Sequence, residues 1–346
     1  VGFVSMHASG ILEDAVAEVA GLQQIYSEAA LGRASAHIGH TCAASGMASL
    51  LQATLALRQH TIPGVPDWDR SEPAKAWGSG QCYAPTKSRP WFCNVGDEPR
   101  RAAVSSLGQD GCAAHLILSE AEIPPGSPLE KGGAVSVIET GGIALIPLSG
   151  ADAAELAARL DSLIQDLGTN ASLPEIAWRA FRKQRETQGA LATALVGNSL
   201  EELRQEAESA KSGIEAAFHS GTDWVTPRGS SFSPKPLGPE GKVAFTYPGG
   251  FNSYVGNSRT LFQLVPELHE SMRSYTSRLA DLLHDRKLYP RSMQRLSEAE
   301  IERLQDEFVN TPIAMFESGI TTGVLHTQAL REGFGLEPQL AFGYSM

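Results

Sequence analysis

Cysteine is scarce and unclustered. Cys42, Cys82, Cys93 and Cys112 are the only four in 346 residues, and none forms a C-x-x-C pair. That spacing excludes a zinc knuckle and a disulfide scaffold, and cytosolic thiols are the simpler reading, so a cytoplasmic location is expected. Basic charge is also short: 28 Lys+Arg against 39 Asp+Glu leave a net charge of −11. An acidic chain is a poor partner for nucleic acid or an anionic membrane surface, both of which would repel it. No apolar run approaches the ~18 residues of a membrane span. The longest stretches, such as Ile143 to Pro147, have strand length. The 34 glycines and 20 prolines stay below low-complexity levels. No basic n-region of a secretory signal opens the chain. Val1 falls inside a strand pattern and Met346 inside a motif, so the sequence is expected to be an internal piece of a longer protein. Its length allows two or three domains at roughly 100–200 residues each.

What is present is a regular alternation of short apolar strands and helical patterns. Gly2 to Met6 predicts a strand, Asp14 to Ser27 a helix with apolar residues near helical spacing, and Ala44 to Arg58 a second helix that opens on small residues. A proline-rich loop from Ile62 to about Pro90 is long enough to wrap a surface, with Trp68, Trp77 and Trp91 as its anchors. Ala103–Ser106 and Ala113–Leu118 predict strands joined by a glycine-containing turn. Pro124, Pro125, Gly126 and Pro128 mark a boundary. Beyond it the expected order is strand (Ile143–Leu148), helix (Asp152–Leu167), helix (Leu173–Gln188), strand (Leu191–Val196) and helix (Leu200–Phe218) capped by Asn198 or Ser199. Pro227 to Gly241 predicts a second linker, and Lys242–Tyr247 a strand. Helices are expected over Leu261–Leu283, Ser297–Asn310 and Pro312–Glu332, the last with proline at its first position. Leu340–Gly343 predicts a final strand. The acidic stretches around Glu201–Glu208 and Glu298–Glu307 are expected to face solvent.

Three places carry chemistry. His7 leaves a strand into the small-residue turn Ala8-Ser9-Gly10, and His40 stands at the entry to Thr41-Cys42-Ala43-Ala44-Ser45-Gly46. Two such imidazoles, on separate strand-to-helix turns, could converge on one pocket and present Nε2 donors to a thioester or malonyl oxygen as negative charge develops there. Each could instead bond a buried carbonyl and serve packing alone. The third place is Gly343-Tyr344-Ser345-Met346 after an apolar strand. It is the first half of the G-x-S-x-G elbow, in which a sharp turn exposes the serine Oγ and the next backbone N–H faces the oxyanion. The same signal fits a serine hydrolase, which would leave His7 and His40 without a role.

Together these residues resemble a known family. Met6-His7-Ala8-Ser9-Gly10, Ile38-Gly39-His40-Thr41 with Ala43-Ala44-Ser45-Gly46, and Val104-Ser105-Ser106-Leu107-Gly108 through Ala114-His115-Leu116-Ile117-Leu118 resemble, in order, three motifs of the C-terminal half of a β-ketoacyl synthase of thiolase-like fold. Ala244-Phe245-Thr246-Tyr247-Pro248-Gly249, Thr311-Pro312-Ile313-Ala314 and Gly343-Tyr344-Ser345-Met346 resemble the start of a malonyl-type acyltransferase, whose fold is α/β-hydrolase-like. The resemblance implies an α/β protein of three parts: ketosynthase over 1–120, a small α/β linker domain over 121–240, and acyltransferase over 241–346. This is the arrangement of type I polyketide and fatty-acid synthases. Ser88-Arg89-Pro90-Trp91 and Asn252-Ser253-Tyr254 are most similar to the subgroup that makes polyunsaturated fatty acids or heterocyst-type glycolipids.

The resemblance implies decarboxylative condensation, with His7 and His40 stabilising the enolate and thioester oxyanions and an acyl-bearing Cys located upstream. It implies malonyl transfer through Ser345, with backbone N–H groups of Gly250 and Met346 at the oxyanion. The implied substrates are acyl-CoA, malonyl-CoA and the phosphopantetheine arm of an acyl carrier protein. No directly bound cofactor or metal is expected, and the ketosynthase part implies a homodimer. Several positions depart from the motifs. Ser35 replaces a lysine, His37 and Ala113 replace asparagines, Gly250-Phe251-Asn252-Ser253 replaces Q-G-S-Q, and Tyr344 replaces a histidine. Loss of the lysine and asparagines leaves open a non-condensing partner of the chain-length-factor kind.

Overall fold

The computed structural model describes residues 1–68, 81–108, 110–121, 144–185, 189–238, 240–250 and 252–344. The described residues fall into two compact units, one drawn from Val1–Ser127 together with Val243–Met346 and one from Pro128–Lys242. The boundary motif at 124–128, Trp77, Ser345 and Met346 lie outside the described residues.

The first stretch runs β1 (Phe3–Met6), α1 (Leu12–Ile25), β2 (Ala30–Arg33), α2 (Ser35–Ile38), α3 (Ser45–Arg58), β3 (Thr61–Ile62), β4 (Arg89–Pro90), β5 (Arg101–Leu107) and β6 (Ala113–Ser119). Its main sheet has the order β2-β1-β5-β6. The first three strands are parallel and β6 returns antiparallel to β5. Side chains alternate across β1 as the strand period demands. Val4 and Met6 pack with Val19 and Leu22 of α1, while Phe3 packs with Ala53, Ala56 and Leu57 of α3. The small residues of α3 allow its close approach: a Cβ on Gly46 would lie 2.8 Å from Ser106 Oγ. The outer stripe of α3, Met47, Leu51 and Leu55, is exposed, as are Leu116 and Ile117 on β6. Trp68 and Trp91 are buried, and Trp68 Nε1 donates to Met293 O at 3.0 Å. Both therefore anchor the long loop.

The second unit contains β7 (Ala144–Gly150), α4 (Ala153–Asp166), α5 (Leu173–Arg185), β8 (Leu191–Gly197), α6 (Leu200–Ser220), β9 (Trp224–Val225) and β10 (Ser231–Phe232). Its antiparallel sheet has the order β7-β8-β10-β9. Leu156, Leu160 and Leu163 of α4, Ile176 of α5, and Leu203, Ala207 and Ile214 of α6 bury one face of it. Asp152 caps α4 by accepting from Glu155 N at 2.9 Å, and Ser199 caps α6 by accepting from Glu202 N at 3.1 Å.

Two expectations fail here. The stretch 227–241 is not simply linker, because Ser231 and Phe232 pair with Ala194 and Thr193. Glu206 does not face solvent. It is buried, and it accepts from Thr226 Oγ1 at 2.7 Å and Arg228 Nη1 at 3.2 Å. Gly213 of α6 faces Trp224, and a Cβ there would come within 2.1 Å of the indole Nε1. Gly213→Ala, normally helpful inside a helix, is expected to cost roughly 1–3 kcal/mol in urea unfolding. A stabilised variant would contradict that packing.

The last stretch runs β11 (Ala244–Tyr247), α7 (Arg259–Leu264), α8 (Leu268–Ser271), α9 (Leu279–Leu282), α10 (Asp285–Leu288), α11 (Glu298–Val309), α12 (Pro312–Gln328) and β12 (Leu340–Gly343). The single helix expected over 261–283 is instead three short ones, with Pro266 in the first break and a 3₁₀ turn at Met272–Ser274. Proline removes a helical N–H and clashes with the preceding turn. Ser297 and Glu300 form a capping box on α11, and Pro312 opens α12. β11 and β12 are parallel, with Tyr247 opposite Gly343.

This stretch packs on the first one. Arg89 is buried and ion-pairs with Asp285, while Arg291 bridges Asp285 and Glu28 at 3.2 Å each. Arg89 also donates to Tyr289 O at 3.0 Å.

Candidate functional site

Two strand-to-helix turns of the first stretch bring His7 and His40 together. Their ring centroids are 5.6 Å apart with planes at 90°. His7 leaves the buried end of β1, and the chain turns left-handed at Ala8, where φ is +47°. Glu18 of α1 holds that turn: its carboxylate accepts from His7 N at 2.7 Å and Ala8 N at 3.0 Å. These are charge-assisted bonds, and they offset the strain of a non-glycine residue at positive φ. His7 Nδ1 is buried without a hydrogen-bond partner.

His40 follows Gly39, whose φ of +76° ends α2. Its Nδ1 accepts from Cys42 N at 3.2 Å. An accepting Nδ1 in a neutral imidazole leaves the proton on Nε2, the donor that oxyanion chemistry needs. Cys42 is exposed at φ +51°, so its part is to orient His40 through its backbone. Among the described residues no group of three or more His, Cys, Asp or Glu is placed to hold a metal ion. His115 is a bridge: Nδ1 lies 3.0 Å from Ser105 Oγ and Nε2 lies 2.6 Å from Tyr26 OH.

The end of the last stretch is the second place. Tyr344 N donates to Tyr247 O at 3.1 Å, so the chain leaves β12 beside Pro248-Gly249-Gly250. Gly250 borders a cavity of about 350 Å³, mostly apolar, with Phe316, Ile320 and Val324 on its α12 side. A Cβ on Gly250 would lie 2.5 Å from Phe316 Cε1. A side chain is thus excluded where a backbone N–H could serve an oxyanion. The serine and the following N–H, Ser345 and Met346, lie outside the described residues.

A buried polar node with no local sequence signal joins the first and last stretches. His60 Nε2 lies 2.6 Å from Glu120 Oε1, and Arg100 Nη1 donates to the same oxygen at 2.8 Å. Burial alone would raise the Glu120 pKa, but the His60 hydrogen bond and the Arg100 charge outweigh it and hold the carboxyl at about 2. His269 of α8 sits behind His60, with ring centroids 5.1 Å apart, and packs on Phe92 and Phe262. Both of its ring nitrogens are buried and unpartnered. Burial, then the neighbouring His60, Arg100 and Arg273, push its pKa well below the usual histidine range.

The sign of the pH effect follows. Each folded pKa lies below its unfolded value, so the unfolded chain takes up more protons as pH falls and stability is lost. The His269 contribution is present above pH 6.5 and declines below it. The Glu120 contribution is present above 4.5 and declines towards 2. One linked proton corresponds to about 1.4 kcal/mol per pH unit. His269→Phe is expected to flatten the loss of Tm between pH 6.5 and 5 while leaving the loss below 4.5. An unchanged upper limb would remove His269 from this role.

Residues 1–68, which include both His7 and His40, match the family model "Beta-ketoacyl synthase, C-terminal domain". A polyunsaturated fatty acid synthase polypeptide of Thraustochytrium sp. is 31% identical across 95% of this chain and 17% of its own length. A phenolphthiocerol/phthiocerol polyketide synthase polypeptide of Mycobacterium tuberculosis is 26% identical across 100% of this chain and 21% of its own length. A solved ketosynthase from module 6 of the bacillaene synthase of Bacillus subtilis 168 is 18% identical, with 90% of this chain aligned to 45% of that one at a TM-score of 0.33. The chain thus spans about a fifth of the length of these two curated relatives. Among the described residues no helix is long and apolar enough to cross a membrane.

Proposed function

The chain belongs to the ketosynthase-bearing family of type I polyketide and fatty-acid synthases, and from that premise we propose that it serves a condensing site at one end and an acyl-transfer site at the other. The observation that carries the condensing role is the convergence of His7 and His40, at a centroid distance of 5.6 Å. In this reading a malonyl thioester docks with its carbonyl oxygen between the two imidazoles. Its carboxylate leaves as CO₂, and the electron pair of the breaking C–C bond passes to that oxygen as an enolate. Glu18 holds the backbone that presents His7, and the Cys42 amide holds the His40 ring, so the two imidazoles would meet the developing charge with little reorganisation. The carbanion then attacks an acyl thioester on an upstream Cys, and the new C–C bond displaces the thiolate.

The acyl-transfer role rests on the β11–α12–β12 geometry. Ser345 Oγ would attack the thioester carbonyl of malonyl-CoA and lose its proton to a base beyond Met346. The tetrahedral oxyanion would rest on the Gly250 and Met346 N–H groups, and CoA would leave as its thiol. The malonyl group would pass next to the phosphopantetheine thiol of an acyl carrier protein. Dimerisation through the ketosynthase part and the 1–120, 121–240 and 241–346 domain scheme belong to the same proposal.

A second reading has one observation in its favour. Ser35, in place of the motif lysine, carries no charge, and Glu18 is bonded to the backbone of the His7 turn instead. A chain-length-factor partner would tolerate that change. The deciding experiment supplies the intact parent with acyl-CoA, malonyl-CoA and carrier protein. The condensing reading expects a β-ketoacyl product. Malonyl loading with no condensed product would leave only the scaffold reading.

A further inference from the structure

His269 of α8 is 3% exposed, and neither ring nitrogen has a hydrogen-bond partner. Rings surround it: the centroid of Phe262 lies at 4.6 Å, that of Phe92 at 5.8 Å and that of His60 at 5.1 Å. Phe262 belongs to the last stretch, and Phe92 and His60 belong to the first. The His269 ring is therefore part of the contact that docks α8 on the first stretch.

The charged groups around it are His60, Arg100 and Glu120 from the first stretch, with Arg273 from the turn after α8. Glu120 is already engaged, by His60 at 2.6 Å and by Arg100 Nη1 at 2.8 and 3.1 Å. Glu270, the next residue in the chain, is engaged by Arg273 at 3.3 Å. A proton on the docked His269 would therefore meet cations and ring faces, with no free carboxylate among these groups. Aromatic faces return only part of the cost of a desolvated cation. Burial first, then His60, Arg100 and Arg273, favour the neutral ring.

α8 is also tied towards the acyl-transfer end. Ser271 Oγ donates to Glu332 Oε1 at 2.9 Å, Tyr275 N donates to Met272 O at 3.0 Å, and Gln328 Nε2 donates to Tyr275 OH at 2.6 Å. Tyr275 and Gln328 line the 350 Å³ cavity that Gly250 borders. Elsewhere the same two stretches are held by Arg89 with Asp285 and by Arg291 with Glu28, pairs that contain no imidazole.

We propose that His269 is a proton-operated latch: a proton on its ring releases residues 268–275 from the His60 and Phe92 face and slackens the Tyr275 wall of the cavity, while the Arg89–Asp285 side stays docked. The opening is local and precedes global unfolding. Its effect on acyl transfer rests on the reading above, and the opening itself does not.

The test is hydrogen exchange of the 346-residue chain at pH 7.5 and 5.5, read by peptide mass spectrometry and corrected for the intrinsic rate at each pH. Opened α8 takes up a proton that docked α8 refuses, so opening is favoured as pH falls through the ordinary histidine value of about 6.5. Protection over 268–275 is expected to fall by about tenfold between the two pH values. β1, β5 and residues 285–291 should keep theirs. His269→Phe keeps an aromatic ring and cannot take up a proton, so it should hold the 268–275 protection constant. A fall that persists in His269→Phe overturns the latch. Should that variant not fold, the unsubstituted chain decides alone: constant protection over 268–275, or an equal fall in β1 and β5, overturns it.

The tie to the cavity is read separately, as covalent acyl loading of the intact parent from malonyl-CoA. Lowering the pH from 7.5 to 5.5 should slow loading more in the unsubstituted parent than in His269→Phe. Equal slowing overturns the tie. No loading at either pH overturns the transfer reading and leaves the exchange result in place.

Discussion

Ser345→Ala in the intact parent is expected to abolish covalent acyl loading from malonyl-CoA, lowering transfer to carrier protein by at least ~10³-fold. The serine is the only nucleophile the mechanism offers at that point, and removing it leaves oxyanion donors with no intermediate to hold. The strand that leads towards it fits an elbow. β12 is parallel to β11, separated from it by the helices α7 to α12, and ends opposite Tyr247. Gly250 lies where a side chain would strike Phe316. Loading is read as a mass increase of the denatured parent after incubation with malonyl-CoA. Undiminished labelling in Ser345→Ala would remove Ser345 from the mechanism and leave the condensing half untouched.

His7→Ala and His40→Ala are each expected to lower condensation by about 10²–10³-fold, the usual cost of one oxyanion donor in a preorganised site. Removal of either leaves the enolate with a single donor. His40→Gln keeps a side-chain N–H and should recover part of the loss, which a role confined to packing would not. Glu18→Gln separates positioning from donation. It replaces one carboxylate oxygen by an NH₂ group that cannot accept from His7 N or Ala8 N. The left-handed turn should then loosen, with faster amide exchange at both residues and a smaller loss of rate than His7→Ala. Unchanged exchange would contradict the hold assigned to Glu18.

The approach of His7 to His40 is legible in the sequence because its signals are local. A histidine leaving a strand into Ala8-Ser9-Gly10 and another after Gly39 need only short-range turn chemistry to be placed. The strands around 3–6, 101–107 and 113–119 are legible for the same reason, from apolar runs and a glycine turn. Features set by distant contacts are not. His269 meets His60 across more than two hundred residues of chain, and nothing near either one announces Glu120 or Arg100. Glu206 reads as one more acidic residue on a helix face until Thr226 and Arg228 fold back over it. The 261–283 stretch has helical composition, and the break at Pro266 outweighs it. Ser231 and Phe232 are too short a pair to show strand periodicity, and they become a strand only through β8.

The central claim is that His7 and His40 act on one oxygen. It is tested most directly by CO₂ release from malonyl-loaded carrier protein, comparing the intact parent with His7→Ala, His40→Ala and the double variant. This isolates the decarboxylation step from acyl loading and product release. Two donors in one hole should be strongly coupled, so the double variant should be far less impaired than the product of the two single losses. Release that is unchanged in all three variants, or losses that simply multiply, would contradict a shared oxyanion site.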